Sequence, residues 1–121
     1  MKGSISMSEL SIEAKRAGEG IAYLKVTGSL DATTYEKMEK QIEALFAHSF
    51  YKLMIDLQGV HYISSAGAGV FIAAIGNAQD HNGNMILIKP SNQVQDVFEI
   101  LGLKEIFGFA ETMEEAQALL K

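Results

Sequence analysis

The chain has no cysteine, no tryptophan and a single proline, Pro90. Without cysteine there is no disulfide, no thiolate metal site and no Cys nucleophile. With one proline and no Pro/Ser-rich stretch, nothing reads as an interdomain linker. Positive charge is also scarce. Ten Lys and Arg stand against fifteen Asp and Glu, for a net charge of −5. A general nucleic-acid binder needs a positive field against phosphates, so direct nucleic-acid binding is disfavoured. The longest apolar stretch, Ala68 to Gly76, falls far short of the roughly 20 residues a membrane span requires. The opening residues, MKGSISMSEL, carry no apolar core after Lys2 and do not read as a signal peptide. The expected compartment is the cytoplasm, with no membrane contact.

What is present suits one globular domain. The chain has 121 residues, 48% of them hydrophobic and 21% charged, enough apolar content for a core without staples. Residues 1–8 are expected to form a flexible tail and residues 9–121 the domain.

Apolar periodicity switches repeatedly between two and 3.6. Glu9–Arg16 alternates with Leu10, Ile12 and Ala14 on one face. Ala17-Gly18-Glu19-Gly20 makes a turn, and Ile21–Thr27 alternates again, so the chain starts with an antiparallel hairpin. Thr33-Thr34-Tyr35-Glu36 fits a capping box with Thr33 as N-cap. A helix with Tyr35, Met38, Ile42, Leu45 and Phe46 on its apolar face follows. Leu53–Leu57 is a continuous apolar run, as in a strand covered on both faces. Ser64 or Ser65 caps a second helix over Ala66–His81, with Val70, Phe71, Ala74, Ile75 and Ala78 inward and Gly83 as C-cap. Met85–Ile88 is another strand. Pro90-Ser91 opens a helix with Val94, Val97, Phe98 and Leu101 inward. Ile106–Phe109 makes a last strand, and Thr112–Glu115 caps a helix ending at Leu119 and Leu120. Met38, Met54 and Met85 fall on core faces. The order predicts an α/β domain with a mixed, mostly parallel sheet and helices packed on it.

In such sheets function collects where a strand's C-terminal end meets a helix. Here that junction is Asp56–Gly69, which holds Ser64, Ser65, Gly59, Gly67 and Gly69. Known catalytic and nucleotide patterns fail there. G-x-G-x-x-G breaks at Ile72, and no Lys follows a glycine as a Walker loop requires. The nucleophile elbow breaks because Ile63 precedes Ser65 where a glycine belongs. Asp80-His81 is too sparse for a metal site. No enzyme activity, metal or cofactor is therefore expected. By residue type alone the junction is an N-cap serine on a tightly packed helix, with Gly67 and Gly69 allowing close approach. Asp56 reads as a loop-orienting acceptor. Of His61 and Tyr62, one packs and the other borders the surface.

The segment Leu53–Gly69, LMIDLQGVHYISSAGAG, resembles the signature of the STAS domain family, more narrowly that of bacterial anti-sigma factor antagonists. VTGSLDATT (Val26–Thr34) resembles the family's Gly-x-Leu-Asp loop, and LGLKEIFGFAETMEEA its C-terminal end. The resemblance spans about Leu10–Leu120. It implies a non-enzymatic module that binds an anti-sigma factor with serine kinase activity and so releases a sigma factor. The kinase phosphorylates a serine at the start of the second helix, and a PP2C-type phosphatase reverses this. Matching the family's Asp-Ser-Ser/Thr-Gly motif at Gly67 puts that serine at Ser65, with Ser64 as the alternate. Ser64 stands where the family commonly has Asp, and Ala66 where it has a second hydroxyl. The implied partner surface is Asp31, Ser64, Ser65, Ala66, Gly67 and Ala68. For Asp31 an ordinary turn carboxylate is an equal alternative. A STAS module of another signalling scaffold, or one that senses a small ligand or nucleotide, is the alternative function. Oligomeric state is not implied.

Overall fold

The computed structural model describes residues 9–120. The expected tail, residues 1–8, lies outside the described residues. The elements follow as β1 (Leu10–Gly18), β2 (Ile21–Leu30), α1 (Tyr35–Ala47), β3 (Lys52–Ile63), α2 (Ser65–Asp80), β4 (Asn84–Ile88), α3 (Asn92–Ile100), β5 (Gly108–Ala110) and α4 (Met113–Leu119). The strands form one five-stranded sheet in chain order. β1 and β2 pair antiparallel, and every later pair is parallel. This is the expected mixed α/β architecture with its hairpin start.

Strand alternation divides the core in two. Met85 and Leu87 join Leu53, Ile55 and Leu57 under α1, α2 and α3, which contribute Met38, Ile42, Phe71, Val94 and Phe98 among others. Ile86 and Ile88 point the other way, joining Met54 beneath Ala116 and Leu120. Apolar residues on both faces of β4 explain its unbroken apolar run. Phe98 anchors α3, its ring centroid 5.3 Å from Phe107 and 6.4 Å from Phe71. Full burial of one such side chain is worth ~1.5–3 kcal/mol. The hairpin's edge strand is less covered. Leu10 is buried, Ile12 is half-buried and Ala14 is exposed, so the predicted inner face of β1 fades along the strand.

Two strands outrun their apolar patterns. β2 continues past Thr27 to Leu30, and β3 past Leu57 to Ile63. Register shifts between Lys25 and Thr27 and between Gly28 and Ser29 interrupt the ladder. Each shift breaks the two-residue period, which is why the extension is hidden in the sequence. β4 pairs only as far as Ile88 opposite Asp56. The last stretch of β3 therefore projects beyond β4.

Helix ends also differ in detail. α1 is capped by Thr34, not Thr33, and makes no side-chain cap bond. The Thr34 hydroxyl instead donates to the Ser29 carbonyl at 2.8 Å and accepts from the Asp31 N–H at 2.9 Å. The expected C-cap glycine of α2 is displaced by one residue. Asn82 carries the left-handed conformation, φ 62°, with Asn82 N–H on the Gln79 carbonyl and Gly83 N–H on the Ala78 carbonyl. That pairing is a Schellman motif. Gly83 is needed for space, since a Cβ there would lie 2.0 Å from the Tyr51 carbonyl oxygen. α3 stops at a Schellman motif with Gly102 at φ 73°, which turns Leu103 into the core and leaves Leu101 40% exposed rather than inward. At α4, Thr112 accepts from the Glu115 N–H as predicted, and the Glu115 carboxylate reaches back to the Glu111 N–H, one residue short of a full capping box.

Candidate functional site

The extended ends of β2 and β3 carry the chain to the start of α2. Leu30 pairs with Ile63 in the last parallel register, and the Ser64 N–H donates to the Leu30 carbonyl at 2.9 Å. Ser64 then caps α2 from extended backbone, its hydroxyl accepting from the Gly67 N–H at 3.3 Å. Ser64 is half-buried and Ser65, the first helical residue, is exposed. The two serines, equivalent by composition, thus differ in position: one hydroxyl is committed to the cap and the other is presented to solvent. The N–H groups of Ser65 and Ala66 have no acceptor within α2, as for any first helical turn. An anion at this end meets the positive end of the helix dipole.

Gly67 is enforced by contact. A Cβ there would lie 2.5 Å from the Leu30 carbonyl oxygen and 2.9 Å from Leu30 Cγ. Gly69 is not, since nothing lies within 4 Å of its missing Cβ. The expectation of close approach thus holds for Gly67 alone. Gly67 and Ala68 are both buried, Ala68 completely. Neither side of that dipeptide presents a surface as α2 stands, so of the expected partner set only Ser64, Ser65, Ala66 and Asp31 have exposed or half-buried positions.

Asp31 follows directly on Leu30 and so borders the junction. Its carboxylate Oδ1 accepts from the Thr33 N–H at 2.9 Å and the Thr33 hydroxyl at 2.7 Å. Its own carbonyl accepts from the N–H groups of Thr34 and Tyr35. Asp31 therefore organises the turn into α1. Asp56 is an acceptor as expected, though from within β3. It takes the Tyr23 hydroxyl at 2.6 Å and the Gln58 N–H at 3.0 Å. Burial, and then the hydrogen bond and negative charge of Asp56, push the Tyr23 phenol up to about 12. His61 and Tyr62 are both exposed, so neither packs. The His61 Nε2 lies 3.3 Å from the Ser29 hydroxyl.

Beside Ser65 a cleft of about 490 Å³ opens between the start of α2 and α3. Tyr62, Ser64, Ser65 and Ala66 form one wall, and Gln93, Val97, Ile100 and Leu101 the other. Three of the exposed large apolar side chains lie here: Tyr62 at 45%, Ile100 at 83% and Leu101 at 40%. No basic residue among the described ones lines the cleft. The α3 wall is not visible in the sequence pattern. Leu101 reads as core because a 3.6 period carried through Gly102 ignores the Schellman turn; Val97, also expected inward, is half-buried and packs against the main core while bordering the cleft. Ile100 alone gave a signal, as an apolar residue outside the stripe. No group of three His, Cys, Asp or Glu among the described residues is placed to hold a metal ion.

This arrangement is that of a STAS domain. The STAS domain model matches residues 13–116, and the chain belongs to that family. Its relatives narrow the class. The chain is 32% identical over 97 residues to an anti-sigma-B factor antagonist of Listeria monocytogenes, covering 80% of this chain and 85% of that one. A solved anti-sigma factor antagonist from Mycobacterium paratuberculosis shares the fold with TM-score 0.84 at 21% identity, over 95% of this chain and 97% of that chain. The anti-sigma factor antagonist SpoIIAA shares it too. Its unphosphorylated form gives 0.80 at 20% identity over 90% of this chain and 95% of that one. Its phosphorylated form, from Bacillus, gives 0.73 at 20% identity over 90% and 98%. No helix among the described residues is long and apolar enough to cross a membrane.

Proposed function

We propose that the chain is an anti-sigma factor antagonist that acts by binding rather than by catalysis. Its free form takes an anti-sigma factor with serine kinase activity into the cleft between α2 and α3, and a sigma factor is released. Phosphorylation of Ser65 ends that binding, and a PP2C-type phosphatase restores it. The observation that carries this reading is the division of labour at the junction: Ser64 is spent on the cap, while Ser65 is exposed on the rim of an apolar cleft. The likeness to a protein solved in both phosphorylated and unphosphorylated forms supports it. A phosphate adds about −1.5 to −2 charges. At a helix start it is favoured by ~0.3–1 kcal/mol, so it leaves the domain folded. Against a partner it brings desolvation and like-charge repulsion, and every ~1.4 kcal/mol of that is tenfold in affinity. Because no cation among the described residues lines the cleft, none of them neutralises the charge there.

The test is a titration with the source organism's anti-sigma factor kinase. Ser65→Ala is expected to bind like the parent and to accept no phosphate. Ser65→Asp, with one charge instead of nearly two, is expected to weaken binding by roughly tenfold, short of the loss in true phosphoserine. Ser64→Ala is expected to be phosphorylated still, at a cost of about 1 kcal/mol for the lost cap. Stoichiometric phosphorylation of Ser65→Ala, with none in Ser64→Ala, moves the switch to Ser64. Full binding by Ser65→Asp with no phosphate on either serine removes the switch altogether.

A further inference from the structure

Beyond Asp56 the side of β3 that faces β4 has no strand partner among the described residues, because β4 stops there. Backbone groups on such an edge still need partners. At Ile63 a side chain supplies both. The Gln93 carboxamide oxygen accepts from the Ile63 N–H at 2.9 Å, and its nitrogen donates to the Ile63 carbonyl at 3.1 Å. One amide thus makes the reciprocal pair of bonds that a residue of an antiparallel neighbour would make. Gln93 is half-buried in the first turn of α3. That turn is itself fixed by the Ser91 cap on the Val94 N–H and by Phe98 in the core.

The placement of this pair is what gives it meaning. Ile63 immediately precedes Ser64. On the other side, the Ser64 N–H is held by the Leu30 carbonyl. The two residues that lead into α2 are therefore gripped from β2 on one flank and from α3 on the other. Gln93 is also part of the α3 wall that carries Val97, Ile100 and Leu101 across the cleft from Ser65. A partner that reads Ser65 and this apolar wall together needs a fixed distance between them. Hydrophobic packing of α3 sets its depth against the sheet, but directional bonds are what set its register along β3.

We infer that Gln93 is a positioning residue: its two bonds to Ile63 hold Ser65 in register with the apolar wall of α3, so that the partner kinase meets both as one surface. The inference rests on the function proposed above. It assigns Gln93 no contact with the phosphoryl group.

Three full-length proteins test it: the parent, Gln93→Ala and Gln93→Glu. Amide hydrogen exchange is read at Ile63 and, as an internal control, at Ile55 in the covered part of β3. Losing two hydrogen bonds of ordinary strength should speed exchange at Ile63 by about tenfold or more in Gln93→Ala and leave Ile55 unchanged. In parallel, kcat/KM for Ser65 phosphorylation by the source organism's anti-sigma factor kinase should fall by about tenfold, while the far-UV spectrum stays parental. Gln93→Glu keeps the shape, so folding is preserved. Ionised, its carboxylate accepts from the Ile63 N–H but faces the Ile63 carbonyl without a donor. Protonated, it has one donor and one acceptor, as glutamine does here. The Ile63 exchange ratio to parent should therefore rise at neutral pH and return towards one as pH falls through the carboxyl range. Parental kcat/KM in Gln93→Ala, despite faster exchange at Ile63, overturns the positioning role and leaves the proposed function standing. Unchanged exchange at Ile63 overturns the clamp itself. A parent that takes no phosphate at Ser65 removes the proposed function, and the positioning role with it.

Discussion

Gly67 and Gly69 stand two residues apart in one helix and meet opposite surroundings. An added methyl group at residue 67 would meet the Leu30 carbonyl oxygen at 2.5 Å, while at residue 69 it would meet nothing within 4 Å. Gly67→Ala is therefore expected to destabilise the domain by ~2 kcal/mol or more, since the carbonyl it strikes belongs to the backbone pair that seats Ser64. Gly69→Ala is expected to stabilise it by ~0.5–1 kcal/mol, by restoring helix propensity in a helix interior. Denaturant titrations of the two variants check both signs. Tyr23 makes a separate prediction. Its phenol is raised from 10.0 to about 12, first by burial and then by Asp56. The folded state thus holds this proton more tightly than the unfolded state does. Its contribution is intact below the unfolded value and is lost as pH climbs through the interval from about 10 to about 12. The parent should lose stability over that window more steeply than Tyr23→Phe, as measured by urea melts at stepped pH. Equal slopes would remove the role assigned to the Tyr23–Asp56 bond.

At the scale of elements, three helices close on a left-handed residue, and in two of them it is not glycine. α1 ends at Ser49 with φ 67°, α2 at Asn82 with φ 62° and α3 at Gly102 with φ 73°. Asparagine tolerates this conformation better than β-branched residues do. Asn82→Gly should leave stability unchanged or slightly higher, and Asn82→Val should cost ~1–2 kcal/mol, read from thermal melts. Where the elements lie was largely legible from periodicity, because burial repeats faithfully in α1, α2 and β4. The lengths of β2 and β3 were not, because their extensions pass through register shifts and carry exposed His61 and Tyr62. The junction was legible for its residue types: serine caps and a glycine under contact. Which serine is the cap and which is presented was not. That depends on a one-residue difference in helix start, set by the bond from Ser64 to Leu30. The α3 wall of the cleft was illegible for a related reason. The turn at Gly102 exchanges Leu101 for Leu103 in the core, and local spacing does not record the exchange.

For the whole molecule, the relevant quantity is how little the switch should disturb. Ser65 is exposed, lies at the positive end of a sixteen-residue helix and is not part of either core cluster. Phosphorylation should therefore shift the thermal midpoint by no more than a few degrees, because the local gain at the dipole is below ~1 kcal/mol. Its effect on partner binding should in turn be larger at low ionic strength, since the added charge rests on an exposed rim subject to screening. A phosphorylated form that melts far below the parent, or whose binding loss ignores salt, would point to a switch acting through the fold instead.

The order of the sheet has a consequence for how the protein is made. Each strand lies beside the strand that precedes it in the chain, so during synthesis every new strand finds its neighbour already outside the ribosome. Growth from the N-terminus can then add one strand at a time to the edge of the sheet. The serine, however, arrives well before its setting is complete. Ser65 is translated with β1, β2, α1 and β3 behind it, but the glutamine that grips Ile63 comes 28 residues later and the apolar wall across the cleft 32 to 36 residues later. A nascent chain that has released only its first strands and α2 thus carries the proposed phosphorylation site without the apolar wall of α3 across from it. On the proposed function, competence to engage the anti-sigma factor is gained late in translation, after α3 has docked.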